Sequence, residues 1–303
     1  MAQPIKTFLS APTSEPASIA APTNGQKVWL ITGCSSGFGR EISIAARRRG
    51  DLVIATARKI ETLEDLKELG CATLTLDVTA SDETVKQVVA AAHAIYGRID
   101  ILVNNAGFCV IGVVEEASAY EVQAMFDTNL FGLLRMTRAV LPYMREQQSG
   151  TIANIGSMAG YNAFPMGGIY NATKFAVAGV TQALRMEVAS FGIKVTTVEF
   201  GSFLTPASEI IRRFDTHLPA YEPLTNAVLG GVAAVTHDDP AKGAQAVVEA
   251  LTQSGRCEGR ELPRRLPVGG NIYDAWHAVQ ATAQKEFSEW EDFVKPEMYA
   301  FDK

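Results

Sequence analysis

A chain of 303 residues with 47% hydrophobic and 20% charged residues has ordinary globular composition and can bury a sizeable core, which excludes a disordered chain. A formal net charge of −6 argues against nucleic acid or an anionic membrane surface as partner, and no run approaches the ~18 to 20 apolar residues of a membrane span. Cys34, Cys71, Cys109 and Cys257 show neither paired nor metal-ligand spacing, so reduced thiols, a cytoplasmic setting and no metal site are expected.

Residues 1–26 carry Pro4, Pro12, Pro16 and Pro22 among Ala, Ser and Thr without any period, and read as a flexible extension; they lack the basic-then-apolar layout of a secretory signal. From residue 27 onward strands and helices alternate. Val28-Trp29-Leu30-Ile31 is a buried parallel strand, a glycine-rich turn follows, and a helix runs to Arg49, stopped by Gly50. Leu52 to Thr56 is the second strand, Glu61 to Leu69 a helix ended by Gly70, and Thr73 to Leu76 the third strand. The next helix, opened by Ser81 and closed by Gly97, sets Val85, Val88, Val89, Ala92 and Ile95 on one face. Ile101-Leu102-Val103 is the fourth strand, and a helical pattern then spans Ser118 to Met144 with Asn129 in its middle.

Thr151 to Ile155 is a fifth strand that ends at Ser157, and a helix opens near Tyr170 and continues to about Phe191. Val195 to Glu199 is the sixth strand. Ser208 to Leu224 carries Ile210, Ile211, Phe214, Leu218, Tyr221 and Leu224 between charges, either a lid over a substrate or ordinary surface packing. Ala241 to Leu251 is a helix and Arg265 to Gly269 a final strand. The stripe Trp276, Val279, Ala283, Phe287 and Trp290 beyond it is core or a dimer surface. Alternating elements without repeats give an α/β chain built on one doubly wound parallel sheet of Rossmann type, with helices on both faces; residues 27–303 form its single domain.

Three stretches carry chemistry. In Thr32-Gly33-Cys34-Ser35-Ser36-Gly37-Phe38-Gly39, glycines let the backbone approach a pyrophosphate at a helix N-terminus, where free amides and the dipole favour anions. Arg58, at the end of the second strand, stands where an acidic residue would bind a ribose hydroxyl, and can instead hold a 2′-phosphate. Tyr170 and Lys174 are i and i+4 on one helix face, and the loop from Met158 to Ile169 can return Ser157 beside them. A hydroxyl, a phenol and an ammonium together suit proton transfer to or from a carbonyl oxygen, the ammonium lowering a phenol pKa that is ordinarily about 10.

With Asn104-Asn105-Ala106-Gly107 between them, and Ser157 ahead of Tyr170, these stretches resemble the short-chain dehydrogenase/reductase family, in particular NADP-preferring members like the 17-beta-hydroxysteroid dehydrogenases; the likeness is strong over residues 27–205. The resemblance implies strand order 3-2-1-4-5-6-7. It implies cofactor contacts from Gly33, Ser35, Ser36, Gly37, Phe38 and Gly39, from Asp77 and Val78 over the adenine, and from Asn104, Ala106 and Gly107 near the ribose. Gly201, Phe203 and Thr205 complete the cofactor set with Arg58, Tyr170 and Lys174, although Phe200 stands where the family has proline, which puts the rigidity of that turn in question. Asn129 would hold a water linking Lys174 to solvent, whereas the residue alone reads as a satisfied helix–helix contact.

The expected function is a hydride transfer between NADP(H) and a lipophilic ketone, aldehyde or secondary alcohol, by a homodimer or homotetramer, with Tyr170 as acid or base, Lys174 and Ser157 assisting and Asn129 in the proton relay. The alternatives are a cofactor-binding sensor without turnover and a cofactor-dependent epimerase or lyase.

Overall fold

The computed structural model of the chain describes residues 22–23, 25–206 and 211–293; Ser208, Glu209 and Ile210 of the expected lid and nearly all of the extension lie outside them. Seven parallel strands, β1 (Val28–Ile31), β2 (Leu52–Ala57), β3 (Ala72–Thr75), β4 (Ile101–Asn104), β5 (Gly150–Ile155), β6 (Ile193–Phe200) and β7 (Arg265–Val268), form one sheet in the order β3-β2-β1-β4-β5-β6-β7. The order and direction implied by the resemblance are those found.

Successive strand residues point to opposite faces, and both faces are dry because helices cover each. Trp29, Ile31, Val53, Val103 and Val198 pack on one side against Ile42 and Ala46 of α1 (Gly37–Arg48) and Val247 and Val248 of a later helix, Pro240–Thr252. Val28, Leu30, Ile54, Leu102 and Ile152 face the other side. There they meet Val85 and Val89 of α3 (Asp82–Tyr96), Met136 and Val140 of α5 (Leu133–Glu146) and Leu184 of α6 (Gly168–Glu187). Between β2 and β3 a 3₁₀ turn, Ile60–Leu63, leads into the short α2 (Glu64–Glu68).

Some boundaries are those expected from sequence and others differ for local reasons. Ser81 caps α3 by accepting from the Thr84 N–H, and Gly97 ends it in the left-handed region at φ 72°. The long pattern from Ser118 is not one α-helix: α4 (Ala119–Phe126) passes into a π-helical turn, Asp127–Gly132, before α5 begins. Such wide turns recur at functional sites, and this one carries Asn129. α6 begins at Gly168 and ends at Glu187, Ala189–Phe191 forming a separate 3₁₀ turn closed by Gly192.

Among the described residues after β6, Phe203 bridges to Asp238 and Arg213 to Ile111 before Pro219–Tyr221 and α7 (Glu222–Ala233), a helix whose Gly230-Gly231 pair hid it from the sequence pattern. α8 (Pro240–Thr252), β7 and α9 (Asn271–Glu289) are the last elements among the described residues. α9 is not core: Ile272 is buried, whereas Trp276, Phe287 and Trp290 are exposed. No helix among the described residues is long and apolar enough to cross a membrane.

Candidate active site

The three chemistry-bearing stretches stand at the carboxyl ends of β1, β2 and β5, with the loops after β4 and β6 beside them, as a doubly wound sheet requires of a ligand crevice. At the end of β1, the Thr32 hydroxyl accepts from the backbone N–H of both Asn105 and Ala106 at 2.9 Å. The Asn105 amide returns hydrogen bonds to the carbonyls of Thr32 (2.8 Å) and Gly33 (3.0 Å). The loop after β4 thus staples the glycine-rich turn. Neither Thr32 nor Asn105 was singled out from sequence, although both stand inside the quoted motifs.

The turn has room for a phosphate and for little else. Gly33 is left-handed at φ 70°, and a Cβ there would lie 2.9 Å from the Ala106 Cα; a Cβ on Gly39 would lie 2.5 Å from the Gly33 carbonyl oxygen. Gly37, at φ 59°, has nothing within 4 Å of that position and opens outward. The Ser36 side chain makes no capping hydrogen bond, and no acidic residue stands in the first turn of α1. A bare helix N-terminus beneath a close-packed glycine cradle fits a pyrophosphate. Ser35 and Ser36 are exposed at its rim.

Phe38 belongs to a different contact. Its ring stacks on Phe200, with centroids 3.5 Å apart and planes 9° from parallel, and meets Phe203 edge-on at 5.0 Å. A Cβ on Gly243 of α8 would lie 2.7 Å from the Phe203 ring, so three rings fill a hollow made by glycine. The turn that lacks the family's proline is held by aromatic packing onto α1. Beyond it, Gly201 donates its N–H to the Val268 carbonyl, Leu204 to that of Asp238, and Thr205 follows half-buried. Along the adenine side, Arg58 is exposed and ion-paired with no described residue, next to buried Ala57. The Asp77 carboxylate accepts from the Thr79 N–H and hydroxyl, and Val78 is buried against Gly132.

Asn104 is buried and donates to Thr137 (3.0 Å) and Asn154 (2.8 Å), and Asn154 donates to Thr181, tying β4 and β5 to α5 and α6. Asn129, 3% exposed, grips the loop after Gly107: it accepts from the Phe108 N–H and donates to the Phe108 carbonyl, both at 2.9 Å, and donates to Thr173 at 3.2 Å. Both ends of its amide are spent on protein: the bond to Thr173 of α6 is the helix–helix contact that the lone residue suggests, and the pair to Phe108 adds a loop.

Ser157 opens a 3₁₀ turn, Met158–Gly160, its hydroxyl accepting from the Ala159 N–H at 3.1 Å. Lys174, 7% exposed, donates from Nζ to the Ile155 carbonyl at 2.8 Å, with Nζ 5.6 Å from the Tyr170 ring centroid. The expected depression of the phenol is not found. Burial pushes Tyr170 above its ordinary range, a hydrogen bond from Ser157 pulling it only partly back, and burial lowers Lys174 to about 8. The reason is geometric: the ammonium is committed to a backbone carbonyl, and protein crowds the half-buried phenol.

Behind the turn, Arg265 donates to the buried Glu199 carboxylate at 2.5 Å and to the Gly160 carbonyl at 3.2 Å, and lies 4.6 Å from the Tyr161 ring centre. Burial raises the Glu199 carboxyl while the guanidinium lowers it. In front, Ile111, Val113 and Met166, with Cys109, Tyr221, Val228 and Leu229, form an apolar wall. Ile111 donates to the Arg212 carbonyl and accepts from Phe214, so the segment after residue 210 is laced to the loop after β4. These residues share no motif, and only the fold brings them together.

Residues 27–215 match the model of the short chain dehydrogenase family. Oxidoreductase BOA17 of Botryotinia fuckeliana is 36% identical over 250 residues, 80% of this chain and 89% of that protein. A 3-ketodihydrosphingosine reductase of Bacteroides thetaiotaomicron is 42% identical over 179 residues, 59% of this chain and 65% of its own. Among solved structures, a short-chain dehydrogenase from Streptomyces avermitilis superposes with a TM-score of 0.81 at 40% identity, covering 89% of this chain and 98% of that one. The closed form of a serine dehydrogenase complexed with NADP+ gives 0.67 at 31% identity, covering 79% and 93%. With the family model spanning more than half of the chain and relatives at 36% and 40% identity over most of it, the chain belongs to the short-chain dehydrogenase/reductase family of oxidoreductases.

Proposed function

We propose that the chain is an NADP(H)-dependent oxidoreductase that interconverts a lipophilic ketone or aldehyde with its alcohol. The observation that carries this reading is Tyr170 in hydrogen-bond reach of Ser157 and beside Lys174, at the end of β5, next to a cradle with room for a pyrophosphate. When bound, the nicotinamide supplies or accepts the hydride. Tyr170, protonated in a half-buried site, gives its proton to the carbonyl oxygen in reduction and takes it back in oxidation. Ser157 hydrogen-bonds the same oxygen, and Lys174, held by the Ile155 carbonyl, orients the ribose and replenishes the proton; a pKa near 8 leaves it able to do both near neutrality. Asn129 fixes the loop that frames the site and, through Thr173, the helix that carries Tyr170.

In this reading Gly33, Ser35, Ser36, Gly37 and Gly39 hold the pyrophosphate, with Phe38 beneath them. Asp77 and Val78 flank the adenine, Asn104, Ala106 and Gly107 lie along the ribose side, and Gly201, Phe203 and Thr205 border the nicotinamide. Arg58 selects the 2′-phosphate. A neighbour solved with NADP+ supports that choice. The apolar wall of Ile111, Val113, Met166, Val228 and Leu229, and the ketone in the name of the Bacteroides relative, favour a lipophilic carbonyl, a hydroxysteroid-like one included, over a phosphorylated sugar. Of the expected lid, 202–225, the described residues 211–225 stand over it, and the four unpaired thiols fit a reducing cytoplasm.

The test is a panel of carbonyls and alcohols assayed with both nicotinamides. Consumption of NADPH by an apolar ketone or aldehyde is the expected result. Binding of NADPH without turnover of any member would favour the sensor reading, and conversion of substrate without net NADPH change the epimerase one.

A further inference from the structure

α9 is longer than the body that supports it. Ile272 docks its first turn, yet from Gln280 to Phe293 every residue is exposed. A helical segment of this length is marginal in water alone, because helices shorter than about 12 to 15 residues rarely repay nucleation without packing. Its sequence is nevertheless patterned. Tyr273, Trp276, Gln280, Ala283, Phe287 and Trp290 follow one another at alternating steps of three and four, the a and d positions of a heptad. The four aromatics among them are 67%, 43%, 70% and 61% exposed. Asp274, Lys285 and Glu289 fall at b, f and c, away from that seam.

The seam is also palindromic in size. Counted from the point between Ala281 and Thr282, Gln280 mirrors Ala283, Trp276 mirrors Phe287, and Tyr273 mirrors Trp290. Bulk lies at both ends and a shallow groove of about 580 Å³ at the centre, lined by His277, Gln280, Ala281, Ala283, Gln284 and Phe287. A surface that is its own mirror along a helix is what a two-fold, isologous contact requires. A foreign partner would impose no such symmetry.

We infer that α9 pairs antiparallel with α9 of a second copy of this chain. Tyr273 then meets Trp290 of the other copy, Trp276 meets Phe287, and Gln280 lies against Ala283 where the backbones approach most closely. At ~200 Å² per aromatic side chain, the exposed rings offer ~500 Å² per protomer, most of the ~800 Å² per partner of a standard interface.

The inference is tested on the full chain by sedimentation equilibrium and by cysteine pairing. Phe287→Glu with Trp290→Glu should halve the assembly mass at micromolar concentration, with at least tenfold weaker association and an unchanged thermal midpoint of the protomer. Gln280→Cys mixed with Ala283→Cys should cross-link under mild oxidation, each far less with itself. An unchanged mass in the double variant, or self-linking of each single variant, which marks a parallel pair, would overturn it. So would a monomeric wild-type chain that instead co-sediments with phosphatidylcholine vesicles and loses them in the double variant.

Discussion

At the residue scale, the proton of Tyr170 and the charge of Arg58 can be tested separately. Tyr170→Phe removes one oxygen from a side chain whose ring stays in place, so the loss should be in turnover: kcat falls at least hundredfold, the range general acid catalysis supplies. NADPH affinity, read by fluorescence titration, should stay within about twofold. Substantial retained kcat would remove Tyr170 from the chemistry. Arg58 is exposed and committed to no described ion pair, which leaves its guanidinium available to an anion. Arg58→Ala should weaken NADPH binding about ten- to a hundredfold at low salt and leave NADH nearly untouched, the gap narrowing as salt rises. Equal loss for both nicotinamides would mean that Arg58 does not read the 2′-phosphate.

At the element scale, the turn that carries Ser157 is set by contacts no motif announces. Thr197 pairs with Arg265 in the β6–β7 register, so Arg265 and Glu199 lie diagonally on one face of the sheet, from which the guanidinium reaches the Gly160 carbonyl. Arg265→Met leaves the Glu199 carboxylate buried without its counter-charge and should cost about 3 kcal/mol in urea unfolding. Adding Glu199→Gln should recover much of that; equal losses in the single and double variants would show that the pair is not what the turn rests on. This division between local and distant causes also marks what could be read from the sequence. Strands, their order, most caps and the Ser157, Tyr170 and Lys174 positions were legible, because each depends on residues close in sequence or on a recognisable motif. The π-helical turn at Asn129 was not, because its residues have helical propensity and the widening follows from packing. Nor was α7, whose two glycines dilute its pattern, nor the ring stack of Phe38 on Phe200, where the residue that replaces proline finds its partner only when β6 ends beside α1.

At the scale of the whole molecule, buried protonatable groups tie stability to pH without any ligand. Burial raises the Cys34 and Cys109 thiols from 9.0 to about 12 and the Cys71 thiol to about 11. Between pH 9 and 11 the unfolded chain has lost protons that the folded chain keeps, so the native state binds more protons and stability falls as pH rises, by up to about 1.4 kcal/mol per unit for each thiol. Lys174 acts in the opposite sense: its folded pKa of about 8 lies below the unfolded 10.5, so between these values the unfolded chain binds more protons and stability rises with pH. The lysine offsets about one thiol. Above pH 10 Tyr170 and Tyr161, both raised by burial, add to the decline. Urea unfolding of the chain without cofactor should therefore show stability nearly level from pH 8 to 9 and falling by about 2 to 3 kcal/mol per unit beyond it. Cys34→Ala with Cys71→Ala should remove the fall between pH 9 and 10 and leave a nearly level profile, the remaining Cys109 thiol offset by the lysine. A decline of unchanged slope in that double variant would place its cause outside the two thiols.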